Sequence, residues 1–224
     1  LPLLIPMSRV AGILSSHIAA NLLHKDKGGK GKLIGGLPGV KPAKVLIIGG
    51  GTVGYNACVT ALNLNAEVTV VDVNTSKLNF YYEKFRGAVK TLPSYPDIIL
   101  NECRDTDIMI GSVLIPGSKT PKIIKKEYIN QMEKGSVFID VAIDQGGSSE
   151  TSRPTTHEHP IYISSGVIHY CVTNIPSLVA ESSTIYLSNE ILPYVLMIAK
   201  GELETHLPLK NGLNTKNGKL LIKF

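Results

Sequence analysis

Apolar residues change their period along this chain, and each change marks an element. After Pro6-Met7-Ser8, the residues Val10, Leu14, Ile18 and Leu22 recur at every fourth position. That is the stripe of an amphipathic helix, with Ser8 as the expected N-cap. Gly28 to Gly39 is dense in glycine and lysine and reads as an exposed loop. At Lys44 the pattern switches: Val45-Leu46-Ile47-Ile48 is continuously apolar, as in a parallel strand covered on both faces. Val53 to Leu64 then reads as a helix, Val68 to Val71 as a strand, Ser76 to Phe85 as a helix and Ala88 to Lys90 as a short strand. Asp107 to Gly111, Ser136 to Asp140 and Val167 to Val172 give further strands, with Ile123 to Met132 helical between two of them. A last helix runs from about Ser183 to Lys200, apolar at Ile185, Leu187, Ile191, Val195 and Ile198, with Pro193 inside to kink it. Strands alternating with helices predict an α/β fold built on a doubly wound parallel sheet.

The turn between the first strand and its helix carries candidate chemistry. Gly49-Gly50-Gly51-Thr52-Val53-Gly54 has the spacing G-x-G-x-x-G. Gly49 permits a tight exit from the strand, Gly51 lets backbone approach a pyrophosphate, and Gly54 lets the helix pack on the sheet. The free amides and the positive end of the helix dipole then face the phosphates. Alone the hexad is a weak signal; the strand before it and the helix after it make it strong. Asp72 ends the next strand eighteen positions after Gly54, where a carboxylate accepts hydrogen bonds from ribose hydroxyls and repels a 2′-phosphate. Val73, Asn74 and Thr75 offer no arginine to such a phosphate, although Lys77 stands close by. The expected cofactor is therefore NAD rather than NADP.

Two later segments follow strands and belong at the carboxyl edge of the sheet, where open α/β folds bind ligands. One is Gly111-Ser112-Val113-Leu114-Ile115-Pro116-Gly117; the other is Asp140-Val141-Ala142-Ile143-Asp144-Gln145-Gly146-Gly147. Asp144 is the better placed of the two carboxylates for a cleft, and Asp140 is read as finishing its strand. His157 and His159 flank Glu158, but no third metal ligand stands nearby, so the segment after Arg153-Pro154 reads as a surface loop and no metal is expected. His169 lies within a strand and is read as packed. Asn174, after that strand and before Pro176, is a candidate amide contact to a ligand. No G-x-S-x-G elbow and no Walker lysine occur, so hydrolase and kinase chemistry find no support.

Composition narrows the classes. The chain has 224 residues, 43% hydrophobic and 18% charged, which suits a packed globular core and argues against disorder. The formal charge of +5 raises nucleic acid as a partner, but the lysines are spread out with no basic run interleaved with aromatics, so none is expected. No uninterrupted apolar stretch reaches the roughly 20 residues of a membrane helix, and no membrane partner is expected. Cys58, Cys103 and Cys171, odd in number and irregularly spaced, suit a reducing cytoplasm.

Several strings then carry a resemblance: Leu1 to Ser8, Gly28-Gly29-Lys30-Gly31, Gly36-Leu37-Pro38-Gly39-Val40, Val113 to Gly117, Asp140 to Gly147 and Arg153-Pro154-Thr155-Thr156. Together they resemble bacterial alanine dehydrogenase over essentially the whole chain, and Asp-Val-Ala-Ile-Asp-Gln-Gly-Gly is the most specific piece. The NAD-binding subunit of proton-translocating transhydrogenase is a more divergent relative. The resemblance implies oxidative deamination of L-alanine to pyruvate and ammonia with reduction of NAD. It makes Asp144 the match to the family's catalytic aspartate. It also implies that Ser8, Thr52, Val53, Asp72, Lys77, Ser94, Val113, Leu114 and Arg153 line the NAD site, together with Val141, Ala142, Ile143, Asp144, Val172, Thr173, Asn174 and Ile175.

The family's substrate arginine, substrate lysine and catalytic histidine belong to a region that would precede Leu1, and His157, His159 and His169 do not replace that histidine. Arg9 stands where the family more usually has an acid, and the chain closes short of family length at Lys219 to Phe224. Residues 1–178 are expected to form the NAD-binding domain and 179–224 the helical remainder of a catalytic domain. The family is typically hexameric. The alternatives are an NAD-binding fragment without catalysis, partnered by a missing N-terminal half, and a transhydrogenase-like NAD-binding subunit.

Overall fold

The computed structural model describes residues 2–114 and 120–221. Ile115, Pro116 and Gly117 of the string read above lie outside the described residues, as do Leu1 and the last three positions. Among the described residues a seven-stranded sheet forms the centre, built of β1 (Lys44–Ile48), β2 (Glu67–Asp72), β3 (Val89–Pro93), β4 (Ile108–Gly111), β5 (Val137–Asp140), β6 (Ile161–Ser164) and β7 (Val167–Tyr170). The strands lie in the order β3-β2-β1-β4-β5-β7-β6, and all pair in parallel except β6, which runs antiparallel to β7. The order reverses between β1 and β4, and that switch opens a crevice at the carboxyl ends of both strands. The expected doubly wound α/β sheet is the fold.

The covering helices are α1 (Ile5–Leu22), α2 (Thr52–Asn63), α3 (Thr75–Phe85), α4 (Pro96–Cys103) and α5 (Lys126–Gln131), followed by α6 (Ala180–Ala199) and the short α7 (Leu207–Asn211). Continuous apolar strands make sense here. Val45, Ile47, Val68, Val70 and Ile110 pack against α1 and α2 on one face, while Leu46, Ile48, Val71, Met109 and Phe138 pack toward α4 and α5 on the other.

The structure departs from the sequence pattern in several places. α1 begins at Ile5 after a short 3-10 turn, so Ser8 lies inside it and caps nothing. The buried residues of α1 are Pro6, Ala11, Gly12, Ser15, Ser16, Ala19 and Leu22; of the expected stripe Leu22 is buried, Leu14 and Ile18 are half-buried against the core, and Val10 is half-buried. A close helix crossing is the reason: a Cβ on Gly12 would stand 2.4 Å from the Val53 carbonyl of α2, and Ser16 donates to the Ala57 carbonyl at 2.9 Å. By length and composition Pro2–Leu22 is apolar enough to cross a membrane, although no apolar run within it is unbroken; here its small-residue side packs on α2.

α4 went unseen because it is only two turns long, started by Pro96 after extended Tyr95. β6 went unseen because one face of it is exposed. The two-residue turn Ser165-Gly166, both at positive φ, folds it back on β7. α5 starts at Lys126 rather than Ile123, and α6 starts at Ala180 and continues through Pro193. α6 touches α1 through Arg9 Nη1, which donates to Tyr186 Oη at 2.5 Å, yet it leaves Ile185, Leu192, Val195 and Leu196 about half exposed.

The glycine–lysine stretch after α1 is not the free loop its composition predicts. Lys30 and Lys32 each reach Asp107 at 2.6 Å, and the Lys44 amide donates to the same carboxylate at 2.8 Å. Asp107 is buried at the entrance of β4, so the loop is clamped to the amino-terminal edge of the sheet. The three cysteines, one each in α2, α4 and the segment after β7, are buried and free. Burial pushes the Cys58 and Cys103 thiols up to about 12 and Cys171 to about 11.

Burial alone would raise the Asp107 carboxyl; the Lys30 and Lys32 ammoniums and the Lys44 amide outweigh it and hold the group below its ordinary 3.8. A carboxyl depressed in the folded state contributes stability above its unfolded value and loses it as pH falls through the folded one. Asp107→Ala is therefore expected to cost about 3 kcal/mol at neutral pH. Urea unfolding should find wild type and variant converging as the pH drops below 3.8. Parallel curves down to acid pH would contradict the clamp.

Candidate functional site

The crevice at the switch point is a cleft of about 420 Å³. Its floor is the turn between β1 and α2. Gly49 leaves the strand at φ 107°, where a Cβ would press on the Ser112 backbone at 3.0 Å. Gly54 sits tighter still: its Cβ would fall 1.9 Å from the Gly49 carbonyl oxygen, so only glycine fits. The Ser112 hydroxyl lies against the Gly49 and Ile48 carbonyls, at 2.7 and 3.0 Å, and ties the turn to the end of β4.

In front of Gly51 the situation is reversed, because a Cβ there would meet nothing within 4 Å among the described residues. Gly51 is also the N-cap of α2, and among the described residues no side chain bonds to the first amides of that helix. A helix start leaves its first N–H groups without intrahelical acceptors. Open space before uncapped amides at a positive dipole end is a cradle for an anion. These residues fit the pyrophosphate of a dinucleotide.

Asp72 closes the far side of the cleft. It is 6% exposed and accepts from the Gly50 amide at 2.7 Å, the Asn74 amide at 2.8 Å and Lys77 Nζ at 3.1 Å. Burial works to raise its carboxyl, and the Asn74 and Gly50 amides with the Lys77 ammonium more than offset this, leaving it below the ordinary carboxylate value. The carboxylate thus stays ionised and binds the glycine turn to the start of α3, where Asn74 caps Ser76 at 2.9 Å. Behind the turn Tyr81 is buried in a cluster with Tyr55, Phe80 and Phe85, and its hydroxyl has no partner among the described residues.

Of the residues singled out in the sequence, Ser8, Gly49, Gly51, Thr52, Val53, Asp72, Lys77, Ser94, Val113 and Leu114 line this one cleft. Ser8 arrives from α1, Ser94 from the end of β3, and Val113 and Leu114 from the exit of β4. Gly54 lies behind the floor rather than in it. The cleft also contains Ile48, Val71, Val73, Ser112, Pro121 and Ile123, which the sequence reading did not single out. Ile48 and Val71 are the last apolar residues of their strands, and their position there was the available signal.

Val141, Ala142, Ile143, Asp144, Arg153, Val172, Thr173, Asn174 and Ile175 do not line the cleft. They gather one and two strands away, at the carboxyl ends of β5 and β7. Asp140 is fully buried there and accepts from the Ala142 amide at 3.1 Å, the Ser148 amide at 2.8 Å, the Ser148 hydroxyl at 3.0 Å and the Ser152 hydroxyl. Asp144 is exposed and accepts from the Asn174 amide at 3.2 Å. The Arg153 guanidinium lies 4.1 Å over the Tyr162 ring, and its amide donates to Tyr162 Oη at 3.0 Å. His169 is buried between Phe138 and Tyr162, with Nε2 at 2.9 Å from the Thr151 hydroxyl. His157 reaches Ser177 Oγ at 2.8 Å.

Comparison with known proteins follows the same lines. Residues 15–223 match the family model described as alanine dehydrogenase/PNT, C-terminal domain. An alanine dehydrogenase of Methanococcus maripaludis is 50% identical over 98% of this chain and 60% of its own length. A solved structure titled L-alanine dehydrogenase superposes with a TM-score of 0.95 at 43% identity, over 98% of this chain and 62% of that one. A transhydrogenase structure from Sinorhizobium meliloti, at 22% identity and a TM-score of 0.73 over 88% of this chain and 55% of that one, shares the fold. The chain spans about 60% of the length of the curated relatives it matches.

Asp140→Ala removes the acceptor of two amides and two hydroxyls at once. Thermal unfolding is expected to show a loss of about 3 kcal/mol, and the amides of Ala142 and Ser148 should lose hydrogen-exchange protection. Unchanged protection at both would mean that another group holds residues 141–152.

Proposed function

This chain belongs to the alanine dehydrogenase/PNT C-terminal domain family, and from that premise we propose that it binds NAD in the cleft at the carboxyl ends of β1, β2 and β4. We further assign it to the oxidative deamination of L-alanine to pyruvate and ammonia. One observation carries the cofactor reading: uncapped amides with open space before Gly51, facing an ionised Asp72 across the same cleft. The amides of Gly51, Thr52 and Val53 meet the pyrophosphate, and Asp72 accepts from the adenosine ribose. A 2′-phosphate would bring a second anion to that carboxylate. The ammonium of Lys77 is already engaged by it, which favours NAD over NADP. Ser8, Ser94, Val113 and Leu114 complete the walls.

Bound NAD would supply the acceptor for a hydride from the substrate carbon. The chain's own contribution at that end is Asp144, a carboxylate held at the edge of the sheet by the Asn174 amide. Arg153 and residues 141–143 and 172–175 flank it. Residues 1–178 act as the nucleotide-binding unit in this reading, and 179–224 as a helical extension toward the substrate side.

The relatives' activity belongs to proteins of which this chain spans about 60%. That span favours a second reading, in which the 224 residues hold NAD and do not turn alanine over by themselves. Purified chain should enhance NADH fluorescence on binding, and alanine-dependent NADH formation then separates the two readings. A folded sample that leaves NADH fluorescence untouched would remove both. Asp72→Arg should weaken NADH binding about tenfold, the loss of roughly 1.4 kcal/mol of hydrogen bonding, with circular dichroism checking that the turn has kept its fold. Equal affinity in a folded variant would contradict the ribose role.

A further inference from the structure

Asp144 is exposed, and an exposed carboxylate ordinarily samples several rotamers. Among the described residues one backbone group restrains it: the Asn174 amide lies 3.2 Å from one carboxylate oxygen and 3.4 Å from the other. That amide points at Asp144 because Asn174 is left-handed, at φ 56° and ψ 52°. Few residues other than glycine adopt this region, and asparagine is one that does so at modest cost. The conformation is fixed from both sides. Val172 and Ile175 are buried, anchoring the chain before and after it. Its carbonyl accepts from the Ser177 amide at 3.0 Å and the Ser177 hydroxyl at 2.8 Å. A hydroxyl has one proton, so with that proton on the Asn174 carbonyl, His157 Nε2 is the donor to Ser177 Oγ at 2.8 Å. A chain of contacts therefore runs from His157 through Ser177 and the Asn174 peptide to Asp144.

We propose that Asn174 is a positioning residue for Asp144, acting through its left-handed backbone rather than through its side-chain amide. The inference deepens the reading of Asp144 as the carboxylate at the nicotinamide end, and it rests on that reading for its consequence though not for its geometry. Asparagine meets a backbone requirement that sequence spacing alone presents as a ligand contact. The same requirement predicts that glycine can stand in for it and alanine cannot.

The test uses the 224-residue chain with Asn174→Gly and Asn174→Ala, and reads the Asp144 side chain by three-bond NMR couplings and the residue-174 amide by hydrogen exchange. Both variants delete the side-chain amide, and only glycine takes up positive φ freely. The expected result is a single Asp144 rotamer and native protection in Asn174→Gly. In Asn174→Ala the rotamers average and protection falls at least tenfold. Equal loss in both variants, or retained order in both, would overturn the proposal. So that local unfolding in Asn174→Ala does not decide the test, Ser177→Ala serves as a second variant that leaves residue 174 untouched; it should loosen Asp144 in the same direction, and no change there would count against the proposal. A parallel Asp144→Ala measurement of alanine-dependent NADH formation keeps the two ideas apart. Order lost in Asn174→Ala with turnover unaffected by Asp144→Ala would support the positioning contact and remove the role given to Asp144.

Discussion

How closely the start of α2 can approach the end of β1 decides everything at the cofactor edge. The Gly54 Cα is seated on the Gly49 carbonyl with no room for a methyl group, and this contact brings the first turn of the helix over the switch point. Were the helix held one side chain further out, its uncapped amides would face solvent instead of a cleft. The Ser112 hydroxyl would lose the Gly49 carbonyl, and the Gly50 amide would lose Asp72. The turn is thus a joint between three strands. Its glycines serve three different needs: a positive φ at Gly49, an open front at Gly51 and a missing Cβ at Gly54.

This explains why so much of the first half was legible in sequence. A parallel strand buried on both faces has to be apolar throughout, and Val45 to Ile48 is. A tight turn has to contain glycine, and Asp72 has to end the neighbouring strand to reach the Gly50 amide. These are local requirements that leave local traces. Gly49, Gly51 and Asp72 fall into one cleft for that reason, and Ser8, Thr52, Val53, Lys77, Ser94, Val113 and Leu114, which the family resemblance pointed to, join them there. Where requirements are not local, the sequence misled. α1 has a regular large-residue stripe, but the contact that matters uses Gly12, Ser16 and Ala19. Lysines 30 and 32 looked like solvent-facing charge until a buried Asp107 appeared beside them from a distant strand.

The second half of the site was legible only as motif. Asp140 and Asp144 lie four positions apart at the end of one strand, and position favours Asp144 for a cleft without showing what separates their surroundings. Burial does: Asp140 is fully enclosed and organises residues 141–152, while Asp144 is exposed and, among the described residues, held by a single peptide group. The family resemblance assigns Arg153 to the NAD site, and in the structure its guanidinium lies on Tyr162. That tyrosine lies beside the buried His169, and its hydroxyl donates to the Thr151 carbonyl at 2.7 Å. None of these partners is adjacent in sequence, so neither period nor spacing could have joined them.

The three thiols have a consequence of a different kind. Each is enclosed in the packed body of the fold, and burial keeps each protonated well above neutral pH. Nucleophilic cysteine sulfur is the thiolate, so the folded chain presents no reactive thiolate. Alkylation, oxidation and soft-metal capture at these three thiols become properties of the opened polypeptide. The chain's susceptibility to such damage is then set by how often the sheet opens, and not by any chemistry of its native surface.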